Sequence, residues 1–530
     1  MPKAILSYIR LLVVILPLLQ IYLATYPFRD ILVLCLLTIG IVLWNIFLCR
    51  SHTVSLSVLD IVTISFGVIV AISSFINHSY GSGPITALSG ILYLLLYFIA
   101  RTTNLLQTLI SALLTSALLQ SCIAYGQLFG WIHPINTYFP FTGSFDNPAP
   151  LGCLIVLGFL VCLSRILQRP KNITYYILGG ILTIAILLSQ SRAVWIAWIV
   201  GCCIICAQII AKFRFNEYRR IALLVLGIFF IGGLYILRPD SATGRLLIWR
   251  VSSRLMFEKP LIGHGAGSFE VSYPLAQANY FRTYPDSHFT YLADDISSPF
   301  NELLSIGVQF GLLGLAGFCS AVWITMKYSI DNLQRALLVS LILFGMFSYP
   351  FYYPVFMIIG ACLIGSCPIK EKWKIPYAMP ITICGVIIGG IGAYSYLLQQ
   401  KAPITNRYNK YYLGELANIH FHRRHYDSLA DIFNRIPSST LGTDIAKGYI
   451  YRQEYDKAKQ FALLSSNMVP NRVMPKYLLF RIYDFQKERD SAEFYAREIL
   501  RMNHKVINTT VLKAKHEAAE YINNSPDSQY

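Results

Sequence analysis

The chain has 530 residues, of which 55% are hydrophobic and only 13% charged, with a mean hydropathy of +0.52. Soluble chains are roughly 25% charged, so a water-soluble globule is excluded and an all-α, polytopic membrane protein is expected. The net charge of +17 reads as a Lys/Arg excess on the cytoplasmic side of a membrane, not as a surface for nucleic acid.

Lys3 and Arg10 open a long apolar run without a small-residue cleavage site. It reads as a first span and not as a removed signal peptide. A span needs about 20 apolar residues. Such runs fall near 5–26, 31–49, 54–76, 85–100, 105–129, 150–167, 174–190, 193–211, 221–237, 300–326, 335–349, 351–366 and 376–398. This gives about 12–13 transmembrane helices, although the pair around SYPFYYP also fits one re-entrant element. With the N-terminus inside, the inner loops hold Arg50, Arg101, Arg165, Arg169, Lys171, Lys212, Arg214, Arg219, Arg220, Lys327, Arg335, Lys370, Lys372 and Lys374. The short outer loops hold little beyond Arg29 and Arg192. That asymmetry obeys the positive-inside rule. It places NHSYGSGP, HPINTYFPFTGSFDNPAP and the long polar loop 238–299 outside. With an odd number of spans, the tail from 399 is outside as well. The expected domains are therefore a transmembrane domain over 1–398, which includes loop 238–299, and a helical tail over 399–530.

The tail turns polar. IAKGYIYRQEYDKAKQFALLSSNMVPN is followed by a similar unit, LFRIYDFQKERDSAEFYAREILRMN, with Ala458 and Ala492 matching at an offset of about 34 residues, the tetratricopeptide period. Each unit reads as two amphipathic helices, and a degenerate third unit is expected near HYDSLADIFNRIP. The alternative is an ordinary helical bundle. The 12 cysteines sit almost wholly in apolar runs and show no zinc spacing, so neither a metal nor a cofactor is expected.

The residues able to carry chemistry gather in and around loop 238–299. Arg192, in LLSQSRAVWIAW, stands at an outer junction of two spans. An unpaired cation there is costly unless an anion meets it; the alternative is a snorkelling side chain. Arg245, Arg250 and Arg254 follow. On an ideal helix Arg250 and Arg254 share a face while Arg245 lies roughly 140° away. Guanidinium forks bind phosphate oxygens in pairs, so a diphosphate is the natural ligand; the alternative is a solvated basic helix. Gly263-His264-Gly265-Ala266-Gly267 is either a tight turn or an anion cradle. Acid/base candidates are His264, His288, Asp286, Asp294, Asp295 and Glu302. A base needs a pKa near ambient pH, which histidine has by default and a carboxylate reaches by burial. Glu302 opens an apolar span, so its burial is expected; a helix N-terminus is the competing reason for an acid there.

In order, GSFDNPAPLG, SRAVWIAW, GRLLIW with PLIGHGAGSFEVSY, and FNELLSIGVQFGLLG resemble the signature of the O-antigen ligase and polymerase superfamily, which includes bacterial O-linked oligosaccharyltransferases. The resemblance covers roughly residues 30–365, and the last two motifs are the most specific. It implies a GT-C-type fold and an undecaprenyl-diphosphate-linked glycan donor. The glycan would pass to a hydroxyl at the periplasmic face of the bacterial inner membrane, with inversion and without metal. The family's two arginines fall on Arg192 and Arg245 as donor-diphosphate ligands; Arg250, His264, Tyr273 and Asn301 are further candidates for substrate binding. Many members begin the last motif with His-Asn, but here the pair is Phe300-Asn301. The base is then Glu302, Asp295 or His288, unless the leaving group needs no base or activity has been lost.

The acceptor is lipid A–core in a ligase, protein Ser/Thr in an oligosaccharyltransferase, or another repeat unit in a polymerase. The tail suits a protein partner, and membrane lipids surround the rest. A lipid-linked glycan transporter is disfavoured because no inverted repeat with mid-membrane charges is visible. A non-catalytic scaffold is the remaining alternative.

Overall fold

A computed structural model describes residues 2–23, 53–77, 93–103 without 95, 105–209 without 208, 239–376 without 371, 410–502 and 508–524. The spans expected at 31–49 and 221–237 lie outside the described residues, as do all but the first residue of 376–398 and most of 85–100. So do Arg29, Arg50, the basic residues between 212 and 220, most of the NHSYGSGP loop and the start of the tail.

Elsewhere the apolar runs are helices. They are α1 (Pro2–Leu23), α2 (Val58–Ile76), α3 (Leu106–Leu128), α4 (Pro148–Gln168), α5 (Ile173–Leu188) and α6 (Arg192–Ile205). After the polar loop come α9 (Glu302–Tyr328), α10 (Asn332–Gly345) and α11 (Pro354–Gly365). Among the described residues α2, α3, α4 and α9 are long and apolar enough to cross a membrane by themselves. The SYPFYYP stretch resolves into two short helices, α10 and α11, joined by a turn over 346–353. At 12 residues, α11 is only about 18 Å long, against a hydrocarbon core of about 30 Å. Ends are set by short polar side chains that take up otherwise orphaned backbone amides. Asn147 caps α4 ahead of Pro148, Asn172 caps α5, Asp331 caps α10 and Asn301 caps α9.

Helices α1, α3, α4, α5, α6, α10 and α11 share one apolar core. Gly201 on α6 lets Leu160 and Ser340 of neighbouring helices come close, the small-residue crossing that lipid-embedded helices use. Helix α2 packs along α9 at the side. Two short strands, Thr53–Leu56 and Trp373–Pro376, pair antiparallel; the all-α expectation did not include them.

The two ends of the bundle differ in charge. At one end Arg101 donates to the carbonyls of Cys367 and Ile369 (2.9 and 2.7 Å) and lies 3.5 Å from buried Asp60. Cys367 in turn touches the Thr325 carbonyl near the C-terminus of α9. Arg165, Lys327 and Arg335 belong to this end through the loops they flank. The N-terminus of α9, with Glu302, lies at the other end: a helix of 27 residues spans about 40 Å.

Loop 239–299 folds on itself. Helix α7 (Pro239–Glu258) sets Leu247, Val251 and Leu255, four residues apart, against Phe269, Tyr273, Tyr280 and Phe281 of α8 (Phe269–Thr283).

The tail forms α12 (Lys410–His422), α13 (Tyr426–Phe433), α14 (Ser439–Tyr451), α15 (Tyr455–Met468), α16 (Val473–Phe485), α17 (Arg489–Arg501) and α18 (Thr509–Asn523) around its own core. Helix α16 begins 34 residues after α14, and α17 begins 34 after α15. Ala458 and Ala492 are fully buried at equivalent places, and Gln453 and Lys487 occupy the same left-handed turn. The HYDSLADIFNRIP stretch forms α13, and α12 precedes it.

Candidate active site

Helix α7 presents three faces, and the arginines divide between two of them. Arg250 and Arg254 lie over the rings of Tyr280 and Tyr284, at 5.3–5.8 Å. Arg245 and Trp249, one turn apart, point elsewhere. The Trp249 indole donates to the Pro299 carbonyl (3.1 Å) and its ring lies 6.2 Å from Phe347. The Arg245 guanidinium lies 5.7 Å from the centre of the Phe300 ring. Arg192 reaches the same place from α6 and donates to Ser241, one turn before Arg245 (3.3 Å).

Arg192 and Arg245 thus stand together, at the end of the bundle opposite Arg101. Burial, and then the charge of Arg192, push the Arg245 guanidinium below its ordinary pKa. No acidic side chain among the described residues forms an ion pair with Arg245. Two neighbouring guanidiniums, one half-buried, make a positive field that a dianion such as a diphosphate would relieve.

Phe300 shapes this site through its backbone. It takes a left-handed φ of 51°, a conformation that costs a bulky residue energy and is kept only where the surroundings enforce it. Its ring meets Arg245 on one side and Tyr349 edge-on at 5.3 Å on another. Tyr349 stacks on Tyr353 (6.1 Å), and the Tyr353 hydroxyl donates to Asp146 Oδ1 (2.5 Å). The three elements that meet here are the GSFDNPAP loop, the α7 arginine face and the SYPFYYP turn.

The other expected residues lie as follows. Asn301 caps α9, its side-chain oxygen accepting from Leu304 N (3.1 Å). Glu302 accepts from Phe351 N (2.8 Å), which ties α9 to the SYPFYYP turn. Asp295 is ion-paired with Arg472 of the tail (2.8 Å), and Asp294 meets the same guanidinium at 3.1 Å. His288 is exposed, its ring centre 3.8 Å from that of Phe289. Tyr273 is wholly buried with its hydroxyl on Gln277 (2.7 Å), which leaves it no surface to offer a substrate. His264 Nε2 donates to the Leu255 carbonyl (2.9 Å).

The glycine-rich turn is a backbone lock. His264 N and Gly265 N donate to the carbonyls of Val308 and Gln309 (2.9 Å each), and Leu312 N donates back to Pro260 (2.7 Å). The exchange is open because α9 breaks at Gly311, φ 67°. The amides of His264 and Gly265 are therefore spent on protein, as a tight turn requires. Asp146, Trp249, Tyr349 and Tyr353 were not singled out in the sequence. Trp249 could have been found from its four-residue spacing to Arg245.

Residues 177–319 match the family model described as O-antigen ligase. A Rickettsia typhi protein provisionally named a polysaccharide ligase is 25% identical over 199 residues, 34% of this chain and 47% of its own. A general O-oligosaccharyltransferase of Acinetobacter baylyi is 24% identical over 342 residues, 58% of this chain and 56% of its own. The chain spans about half the length of these curated relatives. The matched segment carries Arg192, Arg245 and Phe300 on an all-α membrane fold, and over that segment the chain is similar to the O-antigen ligase family.

Proposed function

We propose that this protein transfers a glycan from undecaprenyl diphosphate to an acceptor hydroxyl at the periplasmic face of the bacterial inner membrane. The observation that carries this reading is the pairing of Arg192 with half-buried Arg245 at the bundle end remote from Arg101, Arg165, Lys327 and Arg335. The positive-inside rule puts the latter end in the cytoplasm. The arginines then face the periplasm, where they grip the donor diphosphate. Fixed positive charge aimed at a leaving diphosphate lowers the barrier most in a water-poor setting. The hydroxyl attacks the anomeric carbon opposite the diphosphate, so configuration inverts, and the two guanidiniums take the charge-balancing role a metal would otherwise fill.

The domain division falls near 398. The tail is a periplasmic, tetratricopeptide-like domain, supported by its 34-residue helix period. It docks on the loop: Arg472 grips Asp294 and Asp295, Asn471 donates to the Tyr291 carbonyl (2.6 Å), and Gln277 donates to the Met468 carbonyl (2.5 Å). A helical-repeat face beside the site suits a polypeptide acceptor, and the oligosaccharyltransferase relative points the same way; lipid A–core is the competing acceptor. The test is deletion of the gene in its host, followed by separate blots for lipopolysaccharide and protein-linked glycan. Loss of the protein ladder alone is expected. Loss of the lipid ladder alone would make it a lipid A–core ligase, and two unchanged ladders would refute transfer.

Within this reading Glu302 holds the SYPFYYP turn through Phe351 N. Glutamine keeps an acceptor oxygen there and alanine does not. Glu302→Gln should retain transfer within about threefold, and Glu302→Ala should lose about tenfold, of the order of one hydrogen bond, ~1.4 kcal/mol. Equal and severe losses in both variants, measured in membrane vesicles, would instead make Glu302 the base.

A further inference from the structure

The carboxylate best placed to act on an acceptor lies on a different loop from any the sequence offered. Asp146 is held from both sides. Before it, Phe145 is fully buried and packs edge-on against Tyr353 at 5.3 Å. After it, Asn147 caps α4. The preceding strand of loop is pinned by Gln127 Oε1, which accepts from Thr142 N and Gly143 N (3.0 and 2.8 Å), and by Gln120 Oε1, which accepts from Ser144 N (2.9 Å). Asp146 itself stays half-exposed. Its Oδ1 accepts from Tyr353 (2.5 Å), and its Oδ2 accepts no hydrogen bond from the described residues. Tyr349 lies within electrostatic reach of both Asp146 and Arg245, so the carboxylate and the arginine pair flank one aromatic wall.

The other candidates are committed. Glu302 holds Phe351 N, Asp295 holds Arg472, His288 stacks outward on Phe289, and Phe300 has no atom to accept a proton.

We infer that Asp146 is the general base of this chain, and that Tyr353 is its positioning residue. This rests on the transfer reaction proposed above. The acceptor oxygen forms a bond to the anomeric carbon as the bond from that carbon to the diphosphate oxygen breaks. The electron pair leaves with undecaprenyl diphosphate, whose charge Arg192 and Arg245 meet. The hydroxyl proton passes to Asp146 Oδ2, and the carboxylic acid so formed later releases it to water.

The experiment uses membrane vesicles from the deletion host carrying each variant, with the host's own donor and acceptor. Binding of undecaprenyl diphosphate to each purified variant is measured alongside. A general base contributes about 10²–10⁴-fold, so Asp146→Asn should lose at least about a hundredfold in transfer while Kd stays within about twofold. Formate should restore part of the rate to Asp146→Ala and none to Arg245→Ala. Tyr353→Phe removes the donor that positions the carboxylate, so it should lose about tenfold in transfer rate, of the order of one hydrogen bond, while Kd for undecaprenyl diphosphate stays within about twofold. Should Asp146→Asn fail to insert, Tyr353→Phe decides: an unchanged transfer rate overturns the proposal. Wild-type-like transfer by an inserted Asp146→Asn overturns it too and leaves the transferase reading intact. Absence of transfer by the wild type removes both.

Discussion

Arg245→Ala is expected to abolish glycan transfer, by about a thousandfold, in protein that still inserts normally. Removing one preorganised donor to a developing oxyanion costs about 10²–10³ in rate, and in the proposed reaction Arg245 meets a leaving diphosphate, which carries more charge than that. Folding should not suffer. Arg245 has no acidic ion-pair partner among the described residues, and its removal relieves repulsion with Arg192. Arg245→Lys should recover only a small part of the rate, because a lysine ammonium lacks the planar fork that meets two phosphate oxygens at once. The measurements are transfer in membrane vesicles and the affinity of purified protein for undecaprenyl diphosphate, which should fall at least tenfold. Full activity in Arg245→Ala would remove the diphosphate grip and, with it, the assignment of the site.

The second large effect is structural. Gly311 has φ 67° and ψ −168°, a region that only glycine enters freely. A Cβ there would run into the Leu261 carbonyl group, and one on Gly263 would strike the Gln309 peptide from the other side. These are backbone contacts that no side-chain rotation relieves. Gly311→Ala should cost more than about 3 kcal/mol, the upper end of strain at one such residue, with the clash added. The turn would separate from the break in α9, whose first half begins at Glu302, two residues after Phe300. Little folded protein should survive detergent extraction, as read by size-exclusion and thermal unfolding. Gly180→Ala is the control: nothing lies within 4 Å of a Cβ at Gly180, so its melting point should be unchanged. A Gly311→Ala variant that melts with the wild type would show that the lock carries no stability.

Most of the membrane helices were legible because lipid demands long apolar runs, and caps such as Asn147, Asn172 and Asp331 mark their starts. The arginine geometry was legible as well: helical spacing alone separates Arg245 from Arg250 and Arg254, and the structure puts them on different partners. The break in α9 was not, because FGLLGL reads as continuous helix and only the incoming backbone of Pro260 and Leu261 makes the distortion worthwhile. The contact of Asp146 with Tyr353, 207 positions apart, leaves no local pattern. Nor does the pairing of Thr53–Leu56 with Trp373–Pro376. The expected roles of Asp295 and His264 depended on what else would claim those side chains, and the claimants, Arg472 and the Leu255 carbonyl, become visible only once the chain is folded.

The bridge from Arg472 to Asp295 spans 177 positions of sequence. At ~5–20 residues per second of synthesis, roughly 10–35 s separate the emergence of the carboxylate from that of its partner. Until Arg472 has been made, the segment leading to Phe300 lacks this anchor. A nascent chain therefore leaves the segment before Phe300 untied at Asp295 until residue 472 has been made.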